Sequence, residues 1–309
     1  MEWEHVPVLL EEVLACAPNP MKIGFDFTLG LGGHSLSLAQ RHPDAFFYGF
    51  DRDAKALELA KKRLTPFSNQ FQLAKADFAM ALQILKAKHL VGDFLLADFG
   101  TSSYQMEDSS RGFSFQQEGP IDMRMDQTSG FTAFELIKNL ELPELIQILK
   151  TYGEEPRAKQ IAQAIHKALT EDILKNTTDL AKIIEKSVPF HQRKKKKIHP
   201  ATLTFQALRI AVNEELNQIQ SLLFGVKEVV KKGSVLAVIS FHSLEDRFVK
   251  AQFRAWEKPC TCPPDFPICV CGKKAMVKNL FNKAIQASDK EKVRNPKSRS
   301  ARLRAVEFL

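Results

Sequence analysis

Long apolar runs and widely spaced cysteines are both missing from this sequence of 309 residues. No stretch approaches the ~20 apolar residues that a membrane-spanning helix needs. The first residues, Met1–His5, are acidic and polar where a signal peptide would be basic and then apolar. Four of the five cysteines lie between Cys260 and Cys271, which is not the distribution of a disulfide framework. We therefore expect a cytoplasmic protein with reduced cysteines and no membrane partner.

Acidic residues are outnumbered, with 36 Asp and Glu against 44 Lys and Arg, so that the net charge is +8. This surplus favours a polyanionic partner, and nucleic acid is the first candidate. The run Arg193–Lys197 fits either a solvated loop or a contact with phosphates, and the sequence leaves both open. The hydrophobic content of 44% can fill the core of one large domain or two ordinary ones.

Short apolar runs alternate with amphipathic stretches over the first hundred residues. This rhythm predicts a parallel sheet covered by helices. The predicted strands are Ile23–Leu29, Ala45–Phe50, Phe71–Lys75 and Asp93–Asp98, and the predicted helices between them are Ser35–Arg41, Ala54–Leu64 and Ala79–Lys88.

From about Thr132 the pattern becomes helical, and it returns to strands only at Ser234–Ser240 and Arg302–Leu309. The predicted helices are Phe134–Asn139, Leu142–Thr151, Pro156–Leu169, Thr178–Val188 and Phe205–Lys231. We therefore predict a core formed by residues 1–106 and 200–309, with a Cys-containing loop at 260–271. An inserted helical domain at residues 107–199 is expected to recognise the substrate.

A glycine-rich turn, Gly30–Ser35, connects the first predicted strand to the first predicted helix. Glycines there allow the backbone to approach a ligand closely. Ser35 stands where the third glycine of the dinucleotide fingerprint would be, which argues for S-adenosylmethionine over NAD. We expect the turn Gly32–His34 and the helix N-terminus behind it to meet the carboxylate and amine of the cofactor.

Acidic residues follow several strands at the edge where ligands bind in open α/β sheets. Asp51 is placed to accept hydrogen bonds from the ribose hydroxyls of an adenosine-containing cofactor. Phe78 could stack on the adenine, and Asp98 would face the reacting end. The alternative for any single aspartate is a helix N-cap or a turn.

Several sequence blocks together resemble the ribosomal RNA small-subunit methyltransferase H family, also called MraW. They are His5–Leu9, Gly32–Ser35, Asp98–Gln105, Arg111–Phe115, Gly119–Asp126, His199–Ile210, Ile239–Arg247 and Asn295–Ala301. The resemblance covers nearly the whole chain. It implies an α/β fold, namely a class I (Rossmann-like) S-adenosylmethionine-dependent methyltransferase core with an inserted all-helical domain.

The resemblance also implies an activity, a substrate and a set of cofactor contacts. The activity is methylation of the N4 amine of the P-site cytosine in the decoding centre of 16S rRNA, within the small ribosomal subunit. The implied cofactor contacts are Gly32, Gly33, His34, Asp51, Phe78, Asp98 and Gln105. Phe27 departs from the family, because a glycine is expected after the first acidic residue, and residues 98–105 differ from the common family form at three positions.

A cytosine N4 amine is a poor nucleophile, since its lone pair is delocalised into the ring, and the enzyme must mainly position it. Asp98, Ser102 and Ser103 are the candidate catalytic acceptors. Arg111, Asp122 and Arg124 form either a substrate-binding loop or a structural salt-bridge network. His242 and Glu245 have either a polar role at the cleft or a role in helix capping.

Cys260, Cys262, Cys269 and Cys271 could hold Zn²⁺, but the C-x-C spacing is tighter than usual, so a reduced, partly buried loop is preferred. Two alternative functions stay open at this point. One is a methyltransferase with another RNA or DNA target, and the other is a non-catalytic, zinc-containing RNA-binding protein. The sequence leaves a homodimer open.

Overall fold

The computed structural model describes residues 6–189, 198–263 and 270–309. The basic run Arg193–Lys197 and Cys269 lie outside the described residues. The chain forms two compact units, one made of Met1–Gly100 with Asn217–Leu309 and the other of Thr101–Leu216. Among the described residues, no helix combines the length and the apolar character needed to cross a bilayer.

The first unit is built on an eight-stranded sheet in the order β3-β2-β1-β4-β5-β8-β6, with β7 also paired to β8. Strands β1 to β5 run parallel, and β8 is antiparallel to each of its three neighbours. The strands are β1 (Ile23–Asp26), β2 (Phe46–Asp51), β3 (Phe71–Lys75), β4 (Gly92–Asp98), β5 (Val230–Ser240), β6 (Val277–Asn279), β7 (Ile285–Gln286) and β8 (Arg302–Phe308).

Helices connect the parallel strands β1 to β4 in turn, as a βαβ arrangement requires: α2 (Gly33–Arg41), α3 (Ala54–Arg63) and α4 (Phe78–Ala87). In the same unit α1 (Leu10–Cys16) precedes β1, and α12 (Ser243–Glu257) and α13 (Asp289–Arg294) follow β5. Phe47, Phe94 and Leu303 are buried between the sheet and its helices. The central strand β4 is apolar over most of its length, as a strand covered on both faces is, whereas the edge strand β3 has exposed Gln72 and Lys75. This is the α/β, Rossmann-like architecture that the sequence predicts.

The second unit contains no strand within its described parts, residues 101–189 and 198–216. Its helices are α5 (Ser103–Glu107), α6 (Ala133–Asn139), α7 (Leu142–Gly153), α8 (Ala158–Thr170), α9 (Thr177–Ser187) and α10 (Thr202–Asn213), and α11 (Glu215–Gly225) begins within it. The compact unit is longer than the predicted insertion of residues 107–199. The reason is that Phe205 and Leu208 of α10 pack into the same apolar core as Ile137 of α6.

Candidate cofactor and active site

The glycine turn after β1 adopts backbone angles that side chains rarely tolerate. Gly30 has φ +52° and Gly32 has φ +74°, in the left-handed region that glycine enters without a steric penalty. Gly33 opens α2, and a Cβ added there would lie 2.7 Å from Pro7 Cγ. The turn thus presents the N-terminus of α2 at the carboxyl edge of the sheet, a position suited to an anionic group.

Asp26 stabilises this turn through hydrogen bonds, a role that was not predicted from the sequence. Its carboxylate accepts hydrogen bonds from Ser35 Oγ (2.6 Å) and from the backbone N–H of Thr28 (3.0 Å). Burial raises the pKa of Asp26 to about 6. Its position as the last residue of the first strand was the available signal, since ligand-binding acids cluster at strand ends.

Asp51 is the last residue of β2, and one of its carboxylate oxygens accepts a hydrogen bond from the glycine turn. Oδ2 accepts from the backbone N–H of Gly30 at 2.7 Å, and Oδ1 accepts from that of Asp53 at 2.9 Å. Burial raises the pKa of Asp51 to about 6. Asp53, in contrast, is the N-cap of α3, where it accepts from the N–H groups of Lys55 and Ala56. The capping alternative therefore describes Asp53 but not Asp51.

Phe78 is the first residue of α4, directly after the N-cap Asp77. Its half-buried ring lies 5.9 Å from the ring of Phe99 and 6.4 Å, edge-on, from that of Phe27. Phe27 is itself fully buried and stacks on Phe50, with centroids 6.0 Å apart. The unexpected phenylalanine after the first acidic residue thus fills the core beneath the site.

Asp98 ends β4 and has an unusual environment for a carboxylate. Its backbone N–H donates to Thr28 Oγ1 at 2.6 Å, and Oδ2 lies 3.7 Å from His34 Nδ1. Oδ1 is buried and accepts no hydrogen bond from any residue that the structure describes. Burial, together with the nearby charges of Asp26 and Glu245, raises the pKa of Asp98 well above its ordinary value. A buried acceptor in this state is a binding position for a donor supplied by a ligand.

His242 and Glu245 form a capping box at the start of α12. Glu245 Oε2 accepts from the backbone N–H groups of Phe241 (2.7 Å) and His242 (3.2 Å). The next residue, Asp246, accepts from Arg302 and Arg304 of β8 and so fastens α12 to the sheet. The capping alternative therefore accounts for the hydrogen bonds of His242 and Glu245.

Ser102, Ser103 and Gln105 lie in the second compact unit, whereas Asp98 lies in the first. Ser102 is the N-cap of α5, and its Oγ accepts from the backbone N–H of Gln105 at 3.2 Å. The buried Gln105 forms the reciprocal hydrogen bond, in which its Oε1 accepts from the backbone N–H of Ser102 at 3.1 Å. Ser102 and Gln105 thus form one local capping structure, and Ser103 is the first residue of α5.

Arg111, Asp122 and Arg124 form a network within the second unit. The guanidinium of the buried Arg111 donates to the main-chain oxygens of Arg124 (3.0 Å) and Met125 (2.9 Å). Asp122 receives both the Nε (2.7 Å) and the Nη2 (3.0 Å) of Arg124, and this pair lowers the pKa of Asp122 against the effect of its burial. The contacts are those of a structural network, and a role in RNA binding stays a hypothesis for these residues.

The first unit therefore brings together the turn Gly32–His34, Asp51, Phe78 and Asp98. The parts of S-adenosylmethionine are its carboxylate, ribose, adenine and reacting end. They match, in that order, the positive-φ glycines, the carboxylate that ends the second strand, the half-buried ring of Phe78, and the buried Oδ1 of Asp98, which has no donor among the described residues. The thiols of Cys260, Cys262 and Cys271 also converge, with their sulfur atoms within 4.8 Å of one another.

Comparison with known proteins gives a match along the whole chain. The protein is 45% identical over 310 residues to a protein named Ribosomal RNA small subunit methyltransferase H from Anaeromyxobacter sp. (strain K), covering 100% of this chain and 99% of that one. A protein of the same name from Symbiobacterium thermophilum is 43% identical, with 99% and 97% covered. A crystal structure titled as a putative rRNA-methylase from Clostridium thermocellum is 10% identical, covers 99% of this chain and 100% of that one, and has a TM-score of 0.44. Because this structural similarity is weak, the fold of the protein is assigned from its strand order. The model of the MraW methylase family matches residues 2–309, and the chain belongs to that family.

Proposed function

We propose that this protein transfers a methyl group from S-adenosylmethionine to the N4 amine of the P-site cytosine in the decoding centre of 16S rRNA. The observation that carries the proposal is the full-length identity of 43–45% to proteins named for methylation of small-subunit ribosomal RNA. Membership of the MraW methylase family supports methyl transfer. The choice of the cytosine and of its N4 atom is the finer part of the proposal, and it depends on the resemblance of the sequence blocks.

Three groups of the first unit are proposed to bind the cofactor. The carboxylate of Asp51 accepts hydrogen bonds from the ribose hydroxyls, and the ring of Phe78 lies against the adenine. The N-terminus of α2 at Gly32–His34 receives the carboxylate end. When bound, S-adenosylmethionine supplies a sulfonium-activated methyl group, so the protein's own task is to position the amine.

Asp98 is proposed to receive the substrate amine. Its buried Oδ1 has an accepting lone pair that no described residue uses, and an N4–H that donates there would localise the nitrogen lone pair towards the methyl group. Once ionised, Asp98 is a stronger proton acceptor than an exposed aspartate, because its pKa is raised. Ser102 and Ser103 are kept as alternative acceptors, and Gln105 as a further cofactor contact.

The substrate is proposed to be rRNA within the small ribosomal subunit, in the cytoplasm. The net charge of +8 suits a polyanion. Of the three residues nominated for RNA contact, Arg124 keeps the more accessible side chain, since Arg111 is buried. A homodimer is not required by this scheme and stays a prediction from the sequence.

The test is methylation of small subunits isolated from a strain that lacks the gene. Purified protein and isotope-labelled S-adenosylmethionine should label one cytosine of 16S rRNA, and nucleoside mass spectrometry should identify the product as N4-methylcytidine. Subunits from the parent strain, already methylated, are the control and should take up no label. Label in another base, or equal label in both kinds of subunit, would overturn the proposal.

A further inference from the structure

The segment between α12 and β6 is a long loop with closely spaced ends. Its described parts, residues 258–263 and 270–276, contain neither helix nor strand. Its ends are tied together, because the backbone N–H of Met276 donates to the carbonyl oxygen of Trp256 at 2.9 Å. Loops of this length without secondary structure are uncommon in compact domains. A crosslink within the loop would offset the entropy lost in ordering it.

Three thiols of this loop meet at one point. The sulfur atoms of Cys260, Cys262 and Cys271 all lie within 4.8 Å of one another, and those of Cys260 and Cys271 are 3.8 Å apart. Zn–S bonds of ~2.3 Å at tetrahedral angles place neighbouring sulfurs roughly 3.8 Å apart. A disulfide would instead require ~2.05 Å. The observed separation fits two ligands on one metal ion as well as a hydrogen bond between two thiols.

One described backbone group also contacts the thiols. The backbone N–H of Val270 donates to Cys262 Sγ at 3.4 Å, a contact that would stabilise a metal-bound sulfur and fix its orientation.

We propose that Cys260, Cys262 and Cys271 are ligands of a structural Zn²⁺ ion that crosslinks this loop. Sulfur-rich tetrahedral sites select zinc or iron–sulfur clusters, and zinc suits a site with no evident redox partner. Binding releases the thiol protons to solvent and leaves the oxidation state of metal and sulfur unchanged. A further donor completes the coordination; Cys269 lies outside the described residues and is not part of the proposal.

The first test is the metal content of the full-length protein, purified without chelators. Elemental analysis should find about one zinc per chain in the wild type, as a closed structural site holds one ion. The double variant Cys260→Ser/Cys271→Ser should lose it. Thr261→Ala, in the same loop but without a thiol, is the matched control and should keep it. Equal zinc content in the double variant and the control would overturn the proposal.

The second test does not depend on whether the variants fold. Wild-type protein is stripped of metal, fully reduced and titrated with Co²⁺, which should produce thiolate-to-cobalt charge-transfer absorption that Zn²⁺ then abolishes. Absence of this absorption, a stoichiometric iron–sulfur chromophore, or a Cys260–Cys271 disulfide in protein from a reducing cytosol would each overturn the proposal. Neither readout uses methylation, so failure here is distinct from failure of the proposed function.

Discussion

The imidazole of His34 lies between the backbone and the carboxylate of Asp98. Its Nε2 is 2.9 Å from the carbonyl oxygen of Val8, and its Nδ1 is 3.7 Å from Asp98 Oδ2. Because a carbonyl oxygen can only accept, we assign a proton to Nε2, and Nδ1 of the neutral imidazole then carries a lone pair. Nδ1 can accept from Asp98 Oδ2 only while that carboxyl is protonated, a state that the raised pKa of Asp98 favours. Oδ1 is then the carboxyl oxygen that can accept from a ligand.

Asp98→Asn should lower turnover about a hundredfold, or ~2.7 kcal/mol, because the amide oxygen can still accept a hydrogen bond but the charge that strengthens this contact in the transition state is lost. The affinity for the small subunit should stay the same, since the proposed role involves the amine and not the phosphates. Single-turnover methylation at saturating cofactor measures the effect. Full recovery under saturation would restrict Asp98 to cofactor binding, and wild-type turnover at ordinary cofactor concentrations would remove it from the mechanism.

Asp51→Ala should weaken binding of S-adenosylmethionine by ~1–3 kcal/mol, because the ribose hydroxyls lose a charged acceptor. Titration calorimetry measures the affinity, and thermal unfolding checks that the variant is folded. Asp77→Asn is the matched control: it changes another aspartate at a strand end, but asparagine keeps the N-cap of α4. If both variants bind the cofactor as the wild type does, Asp51 is only a brace for the glycine turn.

The raised pKa of Asp51 predicts how cofactor affinity depends on pH. Below a pKa of about 6 the free protein carries a neutral Asp51, and the proton must be released before the carboxylate can accept from the ribose. Affinity should therefore be constant above about pH 7 and should fall towards ten-fold per pH unit as the pH drops below about 6. Asp26 titrates in the same range, so the informative quantity is the difference between wild type and Asp51→Asn. Identical curves would contradict the prediction.

Phe27→Ala should destabilise the first unit by ~3–5 kcal/mol, the usual cost of removing a fully buried ring that packs on other rings. Urea unfolding monitored by circular dichroism provides the measurement. Unchanged stability combined with weaker cofactor binding would instead place Phe27 in the wall of the site.

Arg111→Ala should lower the free energy of unfolding by ~1–3 kcal/mol, since two main-chain oxygens lose a charged donor. At a temperature where the variant is folded, its affinity for the small subunit should equal that of the wild type. The opposite result, normal stability with weaker binding, would make Arg111 an RNA contact.

The ends of these strands could be predicted, because parallel strands that are covered on both faces consist of apolar runs, and here an acidic residue or a glycine follows each run. Asp51 and Asp98 were found in this way. The short strands β6 and β7 were not, because three and two residues carry no readable period. The predicted helix Phe205–Lys231 was wrong in its length: Glu214, with φ +50°, separates α10 from α11, and residue 230 already begins β5.

The side-chain contacts of Asp98 could not be predicted from the sequence either. Its distance to His34 and the unused Oδ1 depend on how strand ends and the turn pack in three dimensions. The capping roles of Asp53 and His242 depend equally on where each helix begins. An acidic residue at a strand end is a candidate for ligand binding. Only the packing of the folded chain shows whether it caps a helix or can bind a ligand.

Strands β4 and β5 pair in register from Phe94 with Val235 to Asp98 with Ile239, yet residues 99–229 separate them in the chain. Pairings between such distant segments form late, because loop closure must precede any gain from contact. While the chain is being synthesised, the helices of the second unit are complete before the first residue of β5 exists, and domains tend to fold as they emerge. The edge of β4 that pairs with β5 therefore stays unpaired while more than a third of the protein is synthesised. A newly made chain should therefore complete the sheet that carries the proposed site only after residue 240 has been synthesised, and chaperone binding before that point should concentrate on the exposed edge of β4.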